Sequence, residues 1–599
     1  MYTIKIFCAS CLIGICSQIT LAQTTDKVTV NGSSRALFFA DDMQQELTEP
    51  DTVTAPKENS GHTLVDLGVN IRPLDHIEIQ GMVRVRNDFG GFWGSGITFD
   101  VRQLYVKGII ADVVRYQLGD IDYVLTPFTM YNQKEYFLQH TPSTFKQFQQ
   151  TIDYDMFFND DATRRQQGAA VDFSLLFSDL VQELQFSGMT SRQQPAAAGQ
   201  NERLFSAANI TLIQSKYFAI GYNFSNLYDI AGTSKNTDIF HNPVHTISAK
   251  SSIEKENWKI ALSGETGASK MWYSENAEAP SLNDYFMEGK VKVSYTPIPL
   301  TATVQYVSVG PDFRSPGAQT KQVNFDAYPR AYDRITNDQL LRTFDYYDLV
   351  RDVALYNMRI ESGLMNMDPR YDNITPYGLA TPNRQGVQAG LQYADKLDRF
   401  TIKAGYLSQT EIRGQGTTLL RSFGRFSSDL TIKPSAFLKQ YAKQIVIDVH
   451  MHMDQTSRDA EGNVPAVDLQ TNVIAGNIAV ETFKQLDVLF GMQQISYSGF
   501  EFAPLRDEFG QIIYFNPLQT DGIDRLLGDP RGNRGTDQAS HSDCHDVVLR
   551  LLDLHRIGGR RLREGSSGVP PQRGLCAEHQ DTGQDQPAGR QQTQLPVDW

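Results

Sequence analysis

The chain has 599 residues and only 5 cysteines. Cys8, Cys11 and Cys16 stand near one end, Cys544 and Cys576 near the other. The long stretch between them has no disulfide to brace it, so an exported protein of this kind must be stable by other means, and a closed sheet is one. Past the N-terminus no run of about 18 apolar residues occurs, which excludes a membrane-spanning helix. Basic charge is short too: 55 Lys and Arg face 69 Asp and Glu, a formal charge of −14. That balance argues against nucleic acid as a partner. A sequence period of fixed length is also missing, which argues against a solenoid or propeller.

What is present begins with "MYTIKIFCASCLIGICSQITLAQ". Lys5 supplies a positive start, Phe7 to Ile15 an apolar core, and Thr20 and Ala22 a small-residue cleavage site. Residues 1–22 therefore read as a signal peptide cut after Ala22. A lipidated Cys16 is disfavoured, because Ile15 before it is too bulky. Residues 23–61 lack alternation and end in Pro, Glu and Ser, so an N-terminal periplasmic extension is expected there.

From residue 62 the pattern has period two. Val65, Leu67, Val69 and Ile71 alternate with Asp66, Gly68 and Asn70; Val83 and Val85 alternate with Arg84 and Arg86. "FAIGYNF", "WKIALSGE" and "VKVSYTPIPLTATVQY" repeat the unit, with tight turns such as Thr296–Pro299 and Asp395–Arg399. One apolar and one polar face mean a half-apolar sheet. Short turns alternate with longer polar segments at 120–168, 229–243, 310–385 and 454–470. Strict alternation of this kind fits a transmembrane barrel, with apolar side chains to lipid and polar ones to a wet interior. The expected fold is all-β: an antiparallel up-and-down transmembrane barrel of about 16–20 strands, spanning residues 62–535. The hairpin "VRQLYVKGIIADVVRYQLGDIDY", Val101 to Tyr123, resembles those of porin-type outer-membrane proteins of Gram-negative bacteria. The resemblance implies an outer-membrane location in contact with lipid, and passive passage of small polar solutes. It rests on architecture, so it assigns no residue a role.

Candidate functional residues come from the polar faces. Arg84, Arg86, Lys107 and Arg115, with Glu78 and Asp66 nearby, either set up a field across a pore or pair among themselves. In "IVIDVHMHMD", Asp448, His450, His452 and Asp454 share one face. Asp448, His450 and His452 are the candidate metal ligands, against the plainer reading of a polar lumen wall. A barrel hydrolase using His450 or His452 is a further alternative, although no GxSxG accompanies them. The acidic stretches "DYDMFFNDDATRR" and "DQTSRDAEGN" carry oxygens suited to Ca²⁺, without the spacing of a 12-residue calcium loop. The 310–385 segment is long enough to fold into or over the barrel. The leading functional expectation is a porin-like channel with no catalysis. The alternative is a non-conducting barrel acting as a subunit or receptor in a surface or secretion assembly, with an oligomer or assembly partner.

After about residue 536 alternation stops and Arg, Gln, His and Gly dominate. Read one nucleotide later, the codons for His579, Asp581 and Asp585 become Ile or Thr, and those for Gln580 and Gln584 become Lys or Arg. Strand-like alternation then emerges, so residues 536–599 read as an out-of-frame tail, and "HSDCHD" at His541 as no metal site. Independent resequencing of the gene's 3′ end is expected to restore a strand-coding frame. An intact single frame would overturn that reading.

Overall fold

The computed structural model describes residues 27–42, 57–88, 97–131, 164–178, 180–197, 199–274, 281–319, 373–437, 444–483, 486–506 and 512–527. The chain divides into two units, Met1–Gly558 and Gly559–Trp599, and only the first contains described residues. The signal-peptide and tail readings, like the acidic stretch at 153–161, lie outside them.

Twenty strands follow one another. They are β1 (Val28–Asp42), β2 (Lys57–Leu74), β3 (Ile77–Asp88), β4 (Ile97–Ile110), β5 (Val114–Tyr123), β6 (Arg164–Leu176), β7 (Glu183–Gln194), β8 (Arg203–Ser215), β9 (Phe218–Asp229) and β10 (Phe240–Lys255). Next come β11 (Trp258–Tyr273), β12 (Leu282–Tyr295), β13 (Leu300–Val309), β14 (Arg384–Ala394), β15 (Phe400–Thr410), β16 (Ser422–Ile432), β17 (Ile445–Arg458), β18 (Val467–Phe483), β19 (Leu486–Arg506) and β20 (Ile512–Leu527). Each strand pairs antiparallel with the next, giving one continuous meander. Among the described residues no pairing joins β20 to β1.

The chain connections explain the topology. Turns of two to six residues follow the even-numbered strands, except that residues 433–444 separate β16 from β17. At the β4–β5 turn Ala111 and Asp112 adopt φ of 53° and 57°, the left-handed geometry that matches strand twist in two-residue hairpins. The longer connections follow the odd-numbered strands, so they gather at the opposite end of the sheet. Several are shorter than the sequence suggests: β17 continues to Arg458, and β18 begins at Val467.

One expectation needs correction. Residues 23–61 were read as an extension ahead of the sheet, yet Val28–Asp42 forms β1, paired along its length with Lys57–Ile71 of β2. The Gly-Ser-Ser run at 32–34 hides the alternation, and backbone pairing, which is blind to side chains, supplies the strand.

The two faces have inverted polarity. In β17, Val449 and Met453 are 43% and 47% exposed, while the intervening His450 and His452 are 3% exposed. The same holds in β2, where Val65 and Leu67 are exposed and Asp66 is buried. A soluble sheet buries its apolar face; this one turns it outward, as a wall facing hydrocarbon must. A charge on that face should therefore cost what it costs in lipid. Ile474→Arg, on the outward face of β18, is expected to destabilise the protein refolded in phospholipid vesicles by about 2–4 kcal/mol if Ile474 lies at the bilayer midplane. Urea unfolding measures it, and an unchanged midpoint would show that the face meets water.

Candidate functional site

Three segments from the long connections turn inward and pack on the wall. They are residues 124–131, 310–319 and 373–383. The first is a compact turn: Leu125 N–H donates to Met130 O at 2.8 Å, and the Thr126 and Thr129 hydroxyls meet at 2.9 Å. The second is tied to the first, since Tyr131 N–H donates to Gly317 O at 2.9 Å and the Ser315 hydroxyl to Phe128 O at 2.8 Å. Gly317 permits this approach, because a Cβ there would run into the Thr129 backbone oxygen. The Gln319 amide then reaches the third segment, donating to Ala380 O at 3.0 Å.

Aromatic stacking anchors these segments to the sheet. Phe128 stacks on Phe286 of β12 with centroids 4.0 Å apart, and Phe313 meets the same ring edge-on at 5.1 Å. All three rings are buried. Polar ties add direction. The Thr126 hydroxyl donates to Glu265 Oε1 of β11 at 2.7 Å, and Arg314 N–H donates to the Ser269 hydroxyl at 2.8 Å. Asn373 binds Thr456 of β17 and Glu501 of β19, each at 3.0 Å. The inward segments thus tie onto strands β11, β12, β17 and β19 of the described sheet.

The inward face of the wall is built from ion pairs in register. Arg84 holds Asp66, directly opposite on β2, through two bonds of 2.6 Å. Lys107 of β4 sits 3.0 Å from Glu78, its register partner on β3. Arg115 of β5 pairs with Asp172, opposite on β6. Arg86 is buried on the same face as Arg84. Of the two arrangements expected for the early basic residues, these three pairs adopt the local one. Opposite charges in contact largely cancel at a distance, so they contribute little field across the interior.

A second group, on β14 to β19 and the connection between β15 and β16, is only partly legible in the sequence. Arg421 lies buried between Glu411 at 3.1 Å and Glu501 at 3.0 Å. Arg425 grips Asp454 on β17, with Nε to Oδ1 at 2.6 Å. Arg384 lies 3.8 Å over the Phe423 ring. The signal that finds Arg425 is its place on the period-two face of "SFGRFSSD"; Glu411 and Glu501 join Arg421 only by folding. His450 and His452 do meet, Nε2 to Nδ1 at 2.9 Å, and His450 Nδ1 bonds Asp429 of β16. Asp448 is buried on the same face without joining them by any described bond. Among the described residues no three His, Cys, Asp or Glu side chains are grouped to hold a metal.

No family model and no curated protein matches the chain. Solved structures do. OccK5 (OpdH) of Pseudomonas aeruginosa is 11% identical, with 76% of this chain and 99% of that one covered, at a TM-score of 0.38. A BenF-like porin from Pseudomonas fluorescens Pf-5 is 12% identical over 76% and 99%, at 0.36. The outer membrane protein OpdK of Pseudomonas aeruginosa is 9% identical over 76% and 99%, at 0.37.

The acidic connection between β17 and β18 has its own occupants. Glu461 accepts from the Thr417 hydroxyl, and from Thr418 N–H and hydroxyl at 2.6 Å each. Those donors hold its carboxyl down to about 2. The stabilising effect is present above the ordinary carboxylate range and is lost as pH falls through about 2. Carboxyl-carbon NMR should place the midpoint there, and Thr417→Val with Thr418→Val should move it up toward 4.5. A midpoint already near 4.5 in the wild type would overturn the assignment.

Proposed function

We propose that the protein is an outer-membrane, porin-like channel for passive passage of small polar solutes, narrowed by its inward segments. One observation carries this reading: a continuous antiparallel meander whose outward face is apolar and whose inward face is Arg, Asp, Glu, His and Asn. Such a wall suits lipid on one side and water with solute on the other. In this reading solute moves past the inward segments along the polar face, whose ion pairs keep the local net charge small. The named porin among the structural neighbours is compatible with this reading but does not carry it.

The hydrolase alternative needs a hydroxyl held by an imidazole. His450 has both nitrogens engaged, by Asp429 and by His452, and among the described residues no hydroxyl bonds His452 Nε2. The assembly alternative draws on the packing of Phe128, Phe286 and Phe313, which fills part of the interior. Ca²⁺ in the acidic connection would compete with the threonine donors on Glu461.

The full chain reconstituted in planar bilayers is expected to give discrete ion conductance. Phe128→Ala, which removes the ring wedged on Phe286, should raise it, while Thr126→Val should make it noisier by freeing the first segment from Glu265. No conductance from either wild type or Phe128→Ala would favour the non-conducting assembly role.

A further inference from the structure

Asp429, His450 and His452 form a hydrogen-bonded chain on the inward face of β16 and β17. The chain has a direction. An ionised carboxylate only accepts, so the proton between Asp429 and His450 belongs to His450 Nδ1. A neutral imidazole carries one N–H, which leaves His450 Nε2 with a bare lone pair. That nitrogen lies 2.9 Å from His452 Nδ1, so His452 must supply the proton from Nδ1. His452 Nε2 is then also a bare acceptor. It is buried and has no hydrogen-bond partner among the described residues, where buried polar atoms nearly always have one.

The surroundings narrow what fits. In register with His452 stand Ser427 on one side and Val473 on the other. Val473, Ile495 and Tyr497 form a buried apolar cluster. The neighbouring Arg425 is paired with Asp454, so its charge is already matched before an anion arrives. An acceptor nitrogen beside an apolar patch favours a strong neutral donor attached to an apolar body.

We propose that His452 Nε2 is the recognition atom of a subsite for neutral phenolic solutes: the phenol O–H donates to Nε2, and the ring lies toward Val473, Ile495 and Tyr497. Carboxylates are disfavoured there, because two lone pairs would face each other. Asp429 acts as a positioning residue, setting the polarity of a nitrogen two imidazoles away. The inference rests on the channel reading, since a solute must reach the interior.

The test uses the full chain, labelled with ¹⁵N-histidine and reconstituted in lipid nanodiscs at neutral pH. In the wild type, His452 Nε2 should resonate as an unprotonated ring nitrogen. Phenol should shift it saturably, and toluene, which lacks the hydroxyl, should not. In Asp429→Asn the amide can donate to His450 Nδ1, so both imidazoles switch tautomer without rotating and His452 Nε2 becomes N–H. Phenol should then bind about tenfold more weakly, the loss of one good hydrogen bond, and acetate should become a ligand. A protonated Nε2 in the wild type, or equal responses to phenol and toluene, overturns the proposal. The wild-type measurements decide the matter even if Asp429→Asn does not fold. Ion conductance of the full chain in planar bilayers separates the two readings: conductance without a phenol response rejects the subsite alone, and no conductance from either wild type or Phe128→Ala rejects the channel.

Discussion

Every other feature depends on the backbone's need for hydrogen-bond partners where no water is available. An unsatisfied amide in hydrocarbon costs several kcal/mol, so a wall facing lipid must pair its strands throughout. The antiparallel meander does this with the shortest connections, each strand borrowing its partner from its sequence neighbour. Strand order therefore follows chain order. β1 follows the same rule: its residues alternate poorly, but its backbone supplies the partners of β2.

Once the ladder is in place, side chains divide by face, and the division is the reverse of that in a soluble protein. The outward positions carry Val, Ile, Leu, Phe and Tyr; the inward ones carry the charges. Charges on a crowded concave surface must be matched. The structure does this between strands, pairing Arg84 with Asp66, Lys107 with Glu78 and Arg425 with Asp454 directly across the ladder. Cross-strand neighbours on one face are close enough for this without long side-chain excursions. The inward face is thus a sheet of local dipoles, in which the atoms left over after pairing stand out.

The inward segments contribute specificity of shape. Their hold on the wall mixes stacking, as at Phe128 on Phe286, with single polar ties such as Thr126 to Glu265. Stacking alone would let the segments slide, and the polar ties give them a fixed register. The Asp429–His450–His452 chain adds a different kind of information, because it orients protons rather than atoms. A carboxylate at one end decides whether the other end accepts or donates.

The sequence by itself determined the class of fold, the period-two faces, the end at which long connections gather, and the polar character of His450 and His452. Each is a local property: alternation and turn chemistry act over a few residues and leave a direct trace. It also singled out Arg84, Lys107 and Arg115 but left two arrangements open, because register is set between strands 18 to 57 residues apart in sequence, as Arg84 with Asp66 and Arg115 with Asp172 show. Only the tertiary structure decided the pairings, the place of Glu411 and Glu501 around Arg421, the packing of residues 124–131 on 310–319, and the partner of His450. Sequence alone put Asp448 beside the histidines because it lies two residues away on the same strand. Folding supplied Asp429 instead, because on a sheet the nearest neighbour lies across the ladder, about 5 Å away, rather than along the strand, about 7 Å away.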